Sequence, residues 1–289
     1  MTLPLPAFVV TEPAARSIPF VFSSPHSGSQ YPPDFLAASR LDRTAIRRSE
    51  DTFVDELFGE AASRGAPLLR AHFPRAWLDV NREPYELDPT MFSGKLPPYA
   101  NVRSNRVAGG LGTIARVVGD HEEIYTSPLH VDEVLTRIAE IYMPYHATLR
   151  RLMADTHKRF GVAILIDCHS MPSSPRGAMR PRPDFVVGDR HGSSCSRELT
   201  DAACAFLAGR GFEVGRNKPY AGGFITEHYG RPAQSLHALQ VEVNRALYMD
   251  ESTFARNDGF EGIRSILAQL TDVLALTEQA LHPGKVAAE

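Results

Sequence analysis

The sequence predicts an α/β fold: one domain over residues 1–289, with a mixed, largely parallel sheet flanked by helices. Three observations lead there. Residues 162–166 read VAILI, a continuous apolar run of the kind found in a parallel strand covered on both faces. Residues 18–24 and 238–243 are further short apolar runs of strand length. Between these runs lie segments with helical spacing, and strands alternating with helices define the α/β class.

Taken in order, residues 18–24 form the first strand, ended by Pro25. Residues 44–64 read as a helix, because Ile46, Phe53, Val54, Leu57, Phe58 and Ala61 fall mostly on one face and Gly65 supplies a stop. Residues 67–72 and 76–80 read as strands. Residues 83–112 are rich in Pro, Gly, Asn and Ser without a period, so they read as a long ordered loop of the kind that lines a site. Residues 129–160 form one long helix or two, with Pro144 as the break. The strand at 162–166 follows, then a short strand at 185–187, a helix at 196–211, the strand at 238–243 and a closing helix at 259–280.

Composition narrows the function. The chain has 43% hydrophobic and 22% charged residues, as expected of a soluble globular protein with a sizeable core. A net charge of −3 argues against a nucleic-acid or anionic-membrane partner, since there is no basic excess to meet phosphates. The cysteines, Cys168, Cys195 and Cys204, are odd in number and make no CxxC pair, which points to a reducing compartment. The N-terminal residues lack the basic start and apolar stretch of a signal peptide, and no run approaches the ~20 apolar residues that span a bilayer. A soluble cytoplasmic protein is expected; no pattern specifies its oligomeric state.

In parallel sheets, ligands bind beyond the carboxyl ends of the strands. Four segments place polar residues there: Ser23 to Gly28 (SSPHSG), Asp79 to Arg82 (DVNR), Asp167 to Ser170 (DCHS) and Gln240 to Arg245 (QVEVNR). His26 and His169, with carboxylates nearby, suit a zinc site of nitrogen and oxygen ligands with an open position. Each residue also has a plainer reading. Either histidine alone fits a loop or cap, and Asp167 fits a turn cap as well as a carboxylate orienting a ligand histidine. Glu242, inside an apolar strand, needs an ion-pair partner such as Arg245 or a functional role. Cys168 beside His169 suggests a thiol nucleophile, but neighbours on a strand point to opposite faces.

The stretches SSPHSGSQYP, SEDTFVDELF, DVNREP, GLGTIAR, DCHSMPS, RPDFVVGDRHG, NKPYAGGFITEHYG and HALQVEVNRALYMDE occur in this order over residues 20–251. Together they resemble the N-formylglutamate amidohydrolase family. The resemblance implies a zinc carboxypeptidase-like (phosphorylase/hydrolase-like) fold related to aspartoacylases. It implies hydrolysis of N-formyl-L-glutamate, or a similar N-acyl amino acid or short peptide, within histidine breakdown. It implies Zn2+, or another divalent metal, held by His26 and His169, with Glu242 as general base. The residue three after His26 is Ser29 where the related enzymes carry Glu, so the remaining ligand is assigned to Asp51, with its neighbour Glu50 as the rival. Arg116 is assigned to the oxyanion. Arg82 with Asn81 is assigned to a substrate carboxylate, and Tyr220, Gly222 and Gly223 to the substrate wall, with His228 as a further pocket candidate. Two rivals stand outside this reading: a cysteine hydrolase using Cys168, and a binding protein that has lost the reaction.

Overall fold

The computed structural model describes residues 6–119, 122–173 and 182–281. Its main sheet has seven strands: β1 (Phe8–Thr11), β2 (Phe20–Ser24), β3 (Leu68–Ala71), β4 (Ala163–Met171), β5 (Phe185–Gly188), β6 (Val214–Arg216) and β7 (Leu236–Asn244). They lie in the order β1-β3-β2-β4-β7-β5-β6. β2 pairs parallel with β4, β4 parallel with β7, and β6 parallel with β5, while β7 and β5 run antiparallel. This is the mixed, largely parallel α/β sheet that the sequence predicts.

The chain weaves between two compact units. One comprises the chain up to Val9, Pro25–Asp51 and Arg70–Thr148. The other comprises Val10–Ser24, Thr52–Leu69 and the chain from Leu149 onward. In the second unit, β4 and β7 are nine-residue strands, buried almost throughout. Side chains alternate across the sheet. Ile164, Ile166, Cys168, Leu239, Val241 and Val243 therefore share one apolar core with Phe20 and Phe22. Two helices cover this core, α1 (Arg197–Gly209) and α2 (Phe260–Leu281), the first capped by Ser196, whose hydroxyl accepts from Leu199 N–H. In the first unit the core gathers Phe35, Ile46, Phe73, Trp77, Val80, Leu87, Tyr142 and Tyr145. The buried Arg137 lies over the Trp77 ring at 4.9 Å and donates to its carbonyl.

Several elements differ from the sequence expectation. Residues 44–64 form no single helix: a 3-10 turn at Ala45–Ser49 gives way to a one-turn helix at Val54–Leu57 and a further 3-10 segment at Gly59–Arg64. The interruption falls at Glu50, Asp51 and Thr52, with Phe53 in the left-handed region (φ 65°), and it turns Asp51 toward His26. Residues 76–80 are a buried turn and not a strand; their apolar character comes from packing Trp77, Leu78 and Val80 into the core. At 129–160 the helix does not break at Pro144. A π-helical stretch, Ile138–Tyr142, precedes it, so the wide turn spans Glu140, four residues before the proline, whose carbonyl the pyrrolidine ring would otherwise meet. The strand predicted at 162–166 runs on to Met171, which places Asp167 and His169 on β4 itself and not after it.

Candidate metal centre

His26 lies two residues beyond β2. The loop that carries it is held tightly: Gln30 N–H donates to the His72 carbonyl (2.9 Å), and a Cβ on Gly28 would stand 2.2 Å from the Phe73 carbonyl oxygen, so only glycine fits there. The Asp51 amide donates to the His26 carbonyl (3.0 Å), and Asp51 Oδ2 lies 3.4 Å from His26 Nδ1. Across the ring, His26 Nε2 meets Asp79 Oδ1 at 2.7 Å. Asp79 is itself buried between two arginines, Arg75 (2.8 Å) and Arg82 (3.7 Å). Burial raises its carboxyl, but Arg75, Arg82 and the hydrogen-bonded His26 outweigh burial and hold it well below the usual carboxylate range. Burial also pulls the Arg82 guanidinium down to about 10, against the opposing charge of Asp79.

The rival ligand Glu50 is engaged elsewhere. Its carboxylate accepts from Tyr31 Oη (2.5 Å) and Arg47 Nε (3.1 Å). Burial, then Glu50, push the Tyr31 hydroxyl far above its ordinary value.

On β4, Asp167 and His169 are two residues apart and share a face, with Asp167 Oδ2 3.0 Å from His169 Nε2. The parallel register pairs Glu242 of β7 with His169, and Gln240 with Asp167. Partnered residues of adjacent strands point to one side, so Glu242 stands beside His169. Gln240 fixes it: its Oε1 accepts from Gly223 N–H (2.8 Å), which directs its Nε2 to donate to Glu242 Oε1 (2.8 Å). The sequence reading singled out neither Gln240 nor Asp79 for these roles. The signal was the two-residue spacing from Glu242 and Asn81, positions that share a face or a turn with them. Cys168 and Val241 point the other way, into the apolar core, where burial raises the thiol well above its ordinary value. Burial pushes Cys195 up to about 12. Neither thiol is set up as a nucleophile.

The metal-ligating atoms of His26, Asp51 and His169 all lie within 4.8 Å of one another, and all three residues are buried. Two imidazoles and one carboxylate, with a carboxylate behind each imidazole, fit the nitrogen and oxygen donor set of a catalytic zinc ion.

The remaining predicted residues are placed as follows. Arg82 donates from Nε to the Leu111 carbonyl (2.7 Å) and from a terminal nitrogen to the Asn81 carbonyl (2.8 Å). The Asn81 amide donates to Asp79 Oδ1 (2.8 Å). Arg116 donates to Asp88 (3.0 Å) and lines a cavity of about 340 Å³ together with Arg40, Thr90, Glu123 and Tyr125. Tyr220 accepts from Arg182, whose guanidinium lies 5.1 Å from the ring centre. Gly222 adopts φ +121° and opens a one-turn-and-a-half helix, Phe224–Tyr229, behind Gly223. His228 is exposed on that helix, stacked on Phe224 at 5.0 Å.

These features define a class of chain: an α/β protein whose sheet carries a buried histidine–carboxylate group of the kind used by metal-dependent hydrolases. Residues 18–249 match the N-formylglutamate amidohydrolase family, and the chain belongs to that family. It is 31% identical over 265 residues to an N-formylglutamate deformylase of Pseudomonas aeruginosa, covering 89% of this chain and 92% of the relative. A Pseudomonas putida protein of the same name is 28% identical over 266 residues, with the same coverage of each chain. The crystal structure of N-formylglutamate amidohydrolase from Ralstonia eutropha JMP134 is similar with a TM-score of 0.88 and 35% identity, covering 96% of this chain and all of that one. Among the described residues, no helix is long and apolar enough to cross a membrane.

Proposed function

We propose that this chain hydrolyses the amide bond of N-formyl-L-glutamate to formate and L-glutamate, with one divalent ion held by His26, Asp51 and His169. The observation that carries the reading is the gathering of these three buried ligands within 4.8 Å, in a family whose named relatives are N-formylglutamate deformylases. Zinc is the preferred ion, since a His₂–carboxylate set with an open position suits it.

When bound, such an ion polarises the scissile carbonyl and acidifies a water molecule at the open position. Glu242, beside His169 in the register, takes the proton of the attacking water and hands it to the leaving amino nitrogen. Gln240 holds the Glu242 carboxylate in place for both transfers. Asp167 and Asp79 each hold one ring nitrogen of His169 and His26, so that the other ring nitrogen of each serves as the ligand atom. Tyr220, with Arg182 against its hydroxyl, and the loop through Gly222 and Gly223 form the wall that receives the amino acid. Arg116 serves the oxyanion if its guanidinium leaves Asp88.

The test is metal analysis of the purified protein combined with formate release from N-formyl-L-glutamate, compared with N-acetyl-L-glutamate and N-formyl-L-alanine. The reading expects one equivalent of divalent metal, chelator-sensitive turnover and preference for the formylated glutamate. Metal-free protein with full activity would refute the mechanism; equal turnover of all three substrates would refute the specificity.

A further inference from the structure

The DVNR segment presents an arginine that directs its guanidinium toward three oxygens of the protein. Arg82 directs Nε to the Leu111 carbonyl at 2.7 Å and one terminal nitrogen to the Asn81 carbonyl at 2.8 Å; the other lies 3.7 Å from Asp79 Oδ2. Its side chain is 13% exposed. Arg75 donates to the same Asp79 oxygen at 2.8 Å. Asp79 Oδ2 is thus flanked by two guanidinium groups, and Oδ1 is left for the Asn81 amide (2.8 Å) and His26 Nε2 (2.7 Å).

This division of labour has a chemical consequence. With both arginines on one oxygen, the carboxylate is an anion in a fixed plane, and the hydrogen that it accepts from His26 must sit on Nε2. The lone pair of the imidazole is then on Nδ1, the nitrogen that faces Asp51. To fork a substrate carboxylate side-on through Nε, Arg82 would have to give up the Leu111 carbonyl, leaving an unmatched acceptor in a part-buried setting.

We propose that Arg82, seconded by Arg75, is a positioning residue for the metal ligand His26, acting through Asp79, and that it is not the anchor of the substrate carboxylate. The inference rests on the reading of His26 as a metal ligand. The clamp sets the ring tautomer and the direction of Nδ1, and its loss loosens the ion while leaving substrate contacts intact.

The test measures zinc affinity by competition with a chromogenic chelator on apo-protein of the wild type and the Arg82→Ala, Arg82→Lys and Arg75→Gln variants. It also measures KM and kcat for N-formyl-L-glutamate at saturating zinc. Arg82→Ala is expected to weaken zinc by ~10-fold to ~100-fold, as for other residues behind a ligand histidine, with KM unchanged once zinc is saturating. Arg75→Gln moves zinc affinity the same way, and Arg82→Lys recovers part of the loss. Unchanged zinc affinity with KM raised about tenfold or more would make Arg82 the substrate anchor and overturn the proposal. Should Arg82→Ala fail to fold by circular dichroism, unchanged zinc affinity in both Arg82→Lys and Arg75→Gln overturns it equally. A wild type that binds no zinc refutes the hydrolase mechanism itself, a different outcome from either.

Discussion

Replacing Gln240 by Met keeps the volume of the side chain and removes both of its hydrogen bonds. One is the bond from Nε2 to Glu242 Oε1 and the other is the bond accepted from Gly223 N–H, each 2.8 Å long and inside a buried part of the sheet. A bond to a charged group contributes about 1.5–3 kcal/mol and a neutral one about 1 kcal/mol, so the variant should lose about 3 kcal/mol of stability. For a chain of this size that is a fall in Tm of roughly 6 °C, at about 2 °C per kcal/mol. The activity effect comes from the first bond alone. If the misplaced carboxylate forfeits its ~1.5–3 kcal/mol in the transition state, kcat falls about 10-fold to 100-fold. Differential scanning fluorimetry and a formate-release assay at saturating zinc read the two numbers separately. Zinc content should stay at the wild-type level, because no ligand is touched. A Gln240→Met enzyme with wild-type kcat would refute the idea that Gln240 orients the general base, whatever its Tm.

Other outcomes are equally exposed. Glu242→Gln still accepts the bond from Gln240, so it should fold and hold zinc as the wild type does, while kcat drops about 10²-fold to 10⁴-fold from loss of the general base; a fully active variant removes Glu242 from the proton path. Cys168→Ala should retain chelator-sensitive turnover, since that side chain faces the apolar core; loss of activity with zinc still bound would revive the thiol mechanism. Asp189 is held below the ordinary carboxylate range: burial opposes this, but Asn217, Arg216 and the Gly192 amide prevail. A depressed folded-state pKa contributes stability that is present above the unfolded value and lost as pH falls through the folded one. The Tm deficit of Asp189→Asn should therefore be full at neutral pH and shrink below about pH 4, as pH-dependent melting curves would reveal. A deficit independent of pH would contradict that account.

Much of the second unit was legible because its strands are apolar on both faces. Continuous runs such as 162–166 and 238–243 have few competing interpretations, and the helices at 196–211 and 259–280 carry a clear stripe. The same signal misled at 76–80, where Trp77, Leu78 and Val80 are apolar because they are buried, not because they are extended. It misled at 44–64 too, where an apolar helical stripe coexists with a break at Asp51 that only the tertiary contact with His26 rewards. Strand ends were also hard to place. Polar residues at 167–170 read as the end of a strand, yet they continue it, with Asp167 Oδ2 against His169 and with Arg245 donating to Ser170 Oγ at 3.1 Å. Of the site, His26, His169 and Glu242 stood out as polar residues against apolar runs. Gln240 and Asp79 did not, because their work lies in orienting a neighbour, and spacing alone does not say which neighbour.

The nine residues of β4 serve two masters by parity: even-numbered Ile164, Ile166 and Cys168 build the interior, and odd-numbered Asp167 and His169 face the candidate metal centre. A deletion of one residue upstream in that strand would exchange the two sets, seating a thiol and a hydroxyl where an imidazole and a carboxylate belong, and driving those polar groups into the oil of the core. Fold and chemistry are thus locked to a common phase, so this strand has no way to slip quietly: an error in threading would silence the enzyme and unfold it in the same stroke.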